Sequence, residues 1–416
     1  MLYRLILRVV CVTAVALGVM LVDSRAKAQS TCEPQWLPGF GVSGTDNFVW
    51  TSTLWDPDGS GPLSTRLVIG GNFTLAGGIP ANRIAQWDGT SRSAIGTGMN
   101  EYVTALATLP NGDLVAGGGF TSAGGARANY IARWNGSSWT TLGSGMNNWV
   151  YALATLPNGE LIAGGIFTRA GGVPARNIAR WNGSSWAELG LGVDGPVYEI
   201  MNLPNGDLIV GGGFTNTGNV EANGIARWNG SSWSALGSGV TIPNSQFRGE
   251  VIALTTLANG DIIAGGFFLS AGGEVANYIA RWNGTAWSPL GSGTNDAVTT
   301  LTTLPNGDVL AGGWFWAAGG VVARRLARWN GSSWSAFGAP SGTNSEVRTL
   351  TVLPDDSVFA GGLFSAINGV NLQNVARWGI PPSCSRCDTI DFNNDGLFPD
   401  DNDLVAFLRV LAGGSC

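Results

Sequence analysis

One segment recurs seven times along this 416-residue chain and limits what it can fold into. Its clearest copy, VYALATLPNGELIAGGIFTRAGGVPARNIARWNGSSWAELGLG, starts at Val150. The tryptophan of its [IVL]-A-[RQ]-W segment stands at positions 87, 134, 181, 228, 282, 329 and 378, at intervals of 47, 47, 47, 54, 47 and 49 residues. Each copy divides into four apolar runs. V-x-A-L-x-T-L ends at Pro-Asn-Gly, and D-L-I-A-G-G leads into F-T-x-A-G-G. N-I-A-R-W ends at Asn-Gly, and S-W-x-x-L-G closes the copy. Strand-like runs at this period mark propeller blades. A helical solenoid is excluded, because no copy holds a Gly-free amphipathic stretch of helix length. The expected fold class is therefore all-β, a seven-bladed β-propeller with four antiparallel strands per blade. Asn-Gly between apolar runs predicts type I′ hairpins, with both central residues at positive φ.

The ends of the repeat region predict ring closure. The seventh copy, from Val347, stops at Trp378-Gly379 without its S-W-x-x-L-G strand, while Gln35-Trp36-Leu37-Pro38-Gly39-Phe40-Gly41 supplies that piece alone. Residues 35–41 should be the outer strand of the last blade, removing the open edge. Cys32 precedes that strand and Cys384 follows its partner. A disulfide between them would staple the closure across a very long loop, with a gain near the top of the typical ~2–4 kcal/mol range in the chain-entropy model. The double glycines, such as Gly117-Gly118 and Gly164-Gly165, sit inside a strand pattern. They imply a close approach between blades or a bulge. An acid opens the second strand (Asp113, Glu160, Asp207, Asp261, Asp308) and an Arg closes the third (Arg133, Arg180, Arg227, Arg281, Arg328). Adjacent antiparallel strands should pair them once per blade. Blade one has Arg66 and Gln86 there, and blade seven has Ser357 facing Arg377. These carboxylates read as structural, since an active site is normally a single asymmetric place.

Composition removes whole classes of chemistry. There is no His, which excludes Ser-His-Asp and Cys-His catalysis and His-ligated zinc. Lys27 is the sole lysine, which excludes Schiff-base and P-loop chemistry in the mature chain. Residues 1–28 read as a signal peptide: Arg4 and Arg8, then the apolar run Val9 to Val22, then Ala26-Lys27-Ala28 as an A-x-A cleavage site. The alternative is an uncleaved N-terminal anchor. Cleavage removes Arg4, Arg8, Arg25, Lys27 and Asp23, a net +3, so the formal charge goes from −6 to −9. An acidic chain without lysine suits neither nucleic acid nor anionic lipid. The expected location is secreted or at the cell surface, with no membrane span after cleavage. Cys32, Cys384, Cys387 and Cys416 remain, an even count that favours disulfides in an exported protein.

The copies resemble the kelch repeat, in which a double glycine on the second strand precedes spaced aromatics on strands three and four, here Trp134 and Trp139, or Trp181 and Trp186. The wording I-A-R-W-N-G-S-S-W-x-x-L-G-S-G is similar to bacterial secreted repeat proteins and to the propeller of the fungal cortical polarity-marker family. The resemblance covers residues 29–381 and implies a propeller. Galactose-oxidase-like members of the kelch type bind copper with Tyr and His, and this chain has no His, so that activity does not carry over.

Composition changes after Ile380-Pro381-Pro382. Asp391-Phe392-Asn393-Asn394-Asp395-Gly396-Leu397 matches the first half of an EF-hand-type loop, with oxygen ligands at alternate positions and Gly at the sharp turn. The expected calcium ligands are Asp391, Asn393, Asp395, Leu397 through its carbonyl, and Asp403. The alternative is an Asp/Asn-rich turn without metal. Leu404 to Leu411 reads as a short helix. Residues 382–416 resemble the dockerin-like domain that ends many exported bacterial proteins. That likeness implies sorting, anchoring or docking, with a cohesin-like partner; only one calcium loop is visible where full dockerins have two. A Cys387–Cys416 disulfide would close this small unit.

Variable links on one face are where specificity is expected on a rigid scaffold. Trp149, Phe247, Arg248, Trp314 and Trp316 are the candidate ligand contacts, aromatics that suit a sugar face or a protein anchor. The alternative for Trp314 and Trp316 is to fill gaps between blades. The expected function is a secreted, non-catalytic propeller that binds a polysaccharide or a cell-surface or secreted protein, tethered through its tail. The alternative is a lyase or glycoside hydrolase using carboxylates and Arg; no acid pair unique to one blade stands out on the variable face.

Overall fold

The computed structural model describes residues 33–38, 44–59, 61, 63–338 and 342–381. The segment Gln35–Gly379 forms one compact unit. The signal segment 1–28, Cys32, Cys384, Cys387, Cys416 and the calcium-loop residues Asp391, Asn393, Asp395, Leu397 and Asp403 all lie outside the described residues.

The described residues form seven four-stranded antiparallel sheets and no helix. Their innermost strands are Val49–Trp55, Val103–Thr108, Val150–Thr155, Val197–Asn202, Glu250–Thr256, Val298–Thr303 and Val347–Val352, numbered here as blades one to seven. Successive innermost strands touch round the ring, and the first also touches the seventh. The sheets pack face to face, so each core lies between two blades. Val68 and Ile84 of blade one meet Leu114 and Trp139 of blade two. Phe359 and Val375 of blade seven meet Val49 and Ile69 of blade one. This is a closed β-propeller.

Closure is made by the N-terminal strand. Gln35–Pro38 pairs antiparallel with Val375–Gly379, Trp36 opposite Trp378. Residues 39–41 of the expected closing segment lie outside the described residues. Trp36 is buried and packs on Phe337 and Trp378, with ring centroids 6.0 and 5.4 Å away.

The double glycines have two different duties. A Cβ on the first would strike the next blade: on Gly117 it would lie 2.6 Å from Val150 Cγ1. A Cβ on the second would strike the start of its own blade's innermost strand, 2.0 Å from the Tyr102 carbonyl oxygen at Gly118. That second contact sits at a register shift between Val103 and Ala105. Both the close approach and the bulge are therefore present.

The expected ion pairs form in blades two to six. Arg133 and Asp113 are 3.4 Å apart, Arg180 and Glu160 3.6 Å, and Arg227 Nε donates to Asp207 at 2.6 Å. Arg281 and Arg328 donate to Asp261 and Asp308 at 2.5 Å. In blade one Arg66 donates to Gln86 instead, at 2.9 Å. In blade seven Arg377 finds Asp355 at 3.8 Å, and Ser357 donates to the same carboxylate.

The hairpin turns are not type I′. In Leu109-Pro110-Asn111-Gly112 the Gly112 N–H donates to the Leu109 carbonyl at 3.0 Å, and only Gly112 has positive φ. Pro at the second position and a left-handed Gly at the fourth make a type I turn followed by a bulge. In the Trp-Asn-Gly-Ser-Ser turns the Asn carboxamide does the work: Asn135 Oδ1 accepts from the Ser137 and Ser138 N–H groups at 3.0 and 2.9 Å. A side-chain acceptor replaces the second positive-φ residue.

Candidate functional site

The inner ends of the seven blades enclose a cavity of ≈ 910 Å³ on the propeller axis, lined from every innermost strand. Register shifts shape it. One lies between Val49 and Thr51, and others between Val150 and Ala152, Val197 and Glu199, and Val347 and Thr349. Strand neighbours ordinarily face opposite sides of a sheet. At these bulges two consecutive residues reach the cavity, as Tyr198 and Glu199 do.

The outer parts of the repeats are uniform, whereas the cavity lining is not. Just before the leading valine the blades carry Phe48, Tyr102, Trp149, Pro196, Glu250, Ala297 and Glu346. Just after it they carry Trp50, Thr104, Tyr151, Tyr198, Ile252, Thr299 and Arg348. Aromatic rings therefore gather on blades one to four. Tyr102 and Trp149 have centroids 5.5 Å apart, Trp149 and Tyr151 6.0 Å, and Tyr151 and Tyr198 5.8 Å. Phe48 and Trp50 are 6.2 Å apart on the other side of the arc.

Two glycines hold this arrangement in place. The residue after the double glycine is Asn72, Ile166, Phe267, Trp314 or Leu363 in five blades and Gly119 or Gly213 in the other two. A Cβ on Gly119 would lie 2.7 Å from the Trp149 indole. One on Gly213 would lie 3.1 Å from Glu250 Oε1. The missing side chains leave the room that Trp149 and Glu250 occupy.

Charge is as asymmetric as shape. The Arg348 guanidinium carbon lies 4.4 Å from the Trp50 ring centroid and 5.7 Å from that of Trp314. Arg348 also pairs with Glu346 at 3.0 Å, and Trp314 Nε1 donates to the same carboxylate. Glu199 stands where other blades have Ala or Thr, and burial pushes its carboxyl up to about 8. Burial also raises Glu250 and Tyr151. Tyr198 is pushed up to about 12 by burial, then by the charges of Glu250 and Tyr151.

Of the five residues expected from sequence to contact ligand, Trp149 and Trp314 line the cavity. Phe247, Arg248 and Trp316 stand outside its lining. Phe247 and Trp316 are 69% and 59% exposed, and Trp314 is 46% exposed, so neither tryptophan is a buried filler between blades. Arg248 lies 3.7 Å from Asp194. Burial works against ionisation of Asp194, but hydrogen bonds from Asn216 and Thr215 and the charge of Arg248 hold its carboxyl below the ordinary value.

The links between blades are less free than their sequences suggest. Asn100 accepts from the N–H groups of Thr121 and Ser122, and Asn147 from those of Thr168 and Arg169. Asp194, Asn295 and Asn344 repeat the contact in later blades. Sequence reasoning missed Trp50, Tyr151, Tyr198, Glu199, Glu250 and Arg348. Stacking the seven copies exposes Glu199 as a departure from V-x-A-L and Trp50, Tyr151, Tyr198 and Arg348 at its variable second position; Glu250 stands one position before that motif.

A family model described as the Rax2 C-terminal beta propeller domain matches residues 177–358. A second, a beta-propeller domain of unknown function (DUF5122), matches residues 109–137 and 156–184. No curated protein matches the chain. Among solved structures it is similar to the extracellular domain of a putative one component system from B. thetaiotaomicron, at 13% identity and a TM-score of 0.54, over 82% of this chain and 39% of that one. It is similar to the extracellular domain of a putative hybrid two component system from the same organism, at 12% identity and 0.52, over 84% of this chain and 42% of that one. A fungal alcohol oxidase of the AA5 family, in complex with copper, aligns at 13% identity and 0.50, over 84% of this chain and 77% of that one. The chain thus spans less than half the length of the two B. thetaiotaomicron chains. These likenesses show the β-propeller fold, and function rests on the site itself. Among the described residues no helix is long and apolar enough to cross a membrane.

Proposed function

We propose that the chain is an exported, non-catalytic binding protein that recognises a polysaccharide at the central cavity. The observation behind this reading is the aromatic arc of Tyr102, Trp149, Tyr151 and Tyr198, half-buried and confined to one side of the ring. Flat rings offer large contact area with little entropy to lose, and the C–H face of a sugar stacks on them. Tethering or sorting belongs to residues 382–416, where the sequence alone supports a calcium loop and a docking role. A glycan array probed with the mature chain tests the reading. Binding should fall about tenfold, or ~1.4 kcal/mol, in W149A. An array without signal for the parent chain would reject it.

Glu199 favours a second reading, a glycoside hydrolase or lyase. A carboxyl that keeps its proton near neutral pH suits a general acid. New reducing or unsaturated ends, released by the parent chain and not by E199Q, would establish this second reading over the first.

A further inference from the structure

Two boxes that combine aromatic rings with carboxyls stand at the cavity. The first is formed by the rings of Trp50 and Trp314 with the carboxylate of Glu346, and it is filled by the Arg348 guanidinium. The second lies on the opposite part of the lining, where the stacked rings of Trp149, Tyr151 and Tyr198 and the side chains of Glu199 and Glu250 all border the same cavity. No Arg enters this one: the ion pairs of the described residues include none to Glu199 or Glu250. Glu250 has no side-chain hydrogen bond among the described residues, and Glu199 accepts only from the Ile200 N–H. Glu250 borders the cavity with Tyr198, in the room left by Gly213, and its charge is felt at the Tyr198 hydroxyl.

Aromatic faces beside carboxylates attract cations through the ring quadrupole and the negative charge together. The molecule already uses this chemistry at the cavity on its own Arg348. A hard divalent metal would need several oxygens from the protein. Among the described residues no group of three or more acids, His or Cys could supply them. A polyatomic ammonium on an organic ligand fits rings and two carboxyls better. An incoming positive charge also favours the ionised form of both acids.

We infer that the second box takes an exogenous ammonium and, resting on the polysaccharide reading above, that the recognised sugar carries a free amine. The unit is a 2-amino-2-deoxyhexose, its ring stacked on Trp149 and its ammonium directed at Glu199 and Glu250. Arg348 and Glu346, already paired, are left to the hydroxyls of flanking sugars.

The test is titration calorimetry of the mature chain at a pH of about 6, where amines of this kind are charged. Three oligosaccharides of equal length are compared: a glucosamine oligomer, its N-acetylated counterpart and a glucose oligomer. The glucosamine oligomer should bind at least about tenfold more tightly than either other. That preference should shrink toward unity in E250Q and in E199Q, and in about 1 M salt. Both substitutions are close in size to the parent side chain, and melting curves verify that each variant is folded. Equal binding of the three oligomers overturns the ammonium site and leaves polysaccharide recognition standing. Binding of none overturns both. A preference that survives both substitutions also overturns the assignment.

Discussion

Glu199 shows how a single side chain can tie the site to stability. Its carboxyl ordinarily titrates at 4.5, and burial lifts it to about 8 in the folded chain. Between those values the folded state holds a proton that the unfolded state has lost. Stability contributed by this group is therefore complete below pH 4.5 and declines as pH rises toward about 8, by at most ~1.4 kcal/mol per pH unit. E199Q abolishes that decline. Urea unfolding at pH about 6 and about 9 should show the parent losing ~2 kcal/mol or more relative to the variant at the higher pH. Parallel behaviour of the two would mean an ordinarily titrating, solvated carboxyl. The sequence shows Glu199 to be unusual, since the other copies have Ala or Thr there. It does not show where the side chain points. Strict alternation would send residues 198 and 199 to opposite faces, and the bulge at Val197 brings both to the cavity.

At the scale of the strand, most of the blade was readable because each rule was repeated in several copies. The four runs, the acid–arginine pairs and the glycine pairs all stand as expected. The turn type did not, because Asn111 and Asn135 work through side-chain or turn hydrogen bonding instead of positive φ. The two-residue hairpins, such as Ser122–Ala123 with Ala126–Arg127, are too short to leave a periodic signal. The outer strand gives a sharp comparison. Trp186 Nε1 donates to the Leu142 carbonyl in the preceding blade at 2.8 Å, and Trp139, Trp287 and Trp334 make the same contact with Ile95, Leu236 and Leu290. Trp233 Nε1 is buried without a partner among the described residues. W186F and W233F lose similar packing, but W186F breaks a buried hydrogen bond, whereas W233F removes a donor that has no partner among the described residues. W186F should cost ~1–2 kcal/mol more than W233F in chemical denaturation. Equal losses would show that the indole bond adds nothing to blade stacking.

For the whole molecule the decisive contact is the one between its extremities. Removing residues 35–38 would leave Val375–Gly379 as an unpaired edge and take Trp36 out of its buried place. The melting temperature should fall by about 5 °C or more, with concentration-dependent association in light scattering. An unchanged melt and a monodisperse sample would mean that the ring holds without its closing strand. Ring topology was legible from complementary partial copies at the two ends. The ligand surface was not, because it arises where seven different strands converge and no one copy describes it. Closure also sets a timetable for biosynthesis. Asn374 Nδ2 donates to the Thr45 carbonyl across 329 positions of chain. At ~5–20 residues per second, a ribosome needs roughly twenty seconds to a minute to deliver the second of these partners after the first. Throughout that interval the nascent leading strand has nothing to pair with, so the period of greatest exposure to proteases and to neighbouring chains is fixed by translation speed.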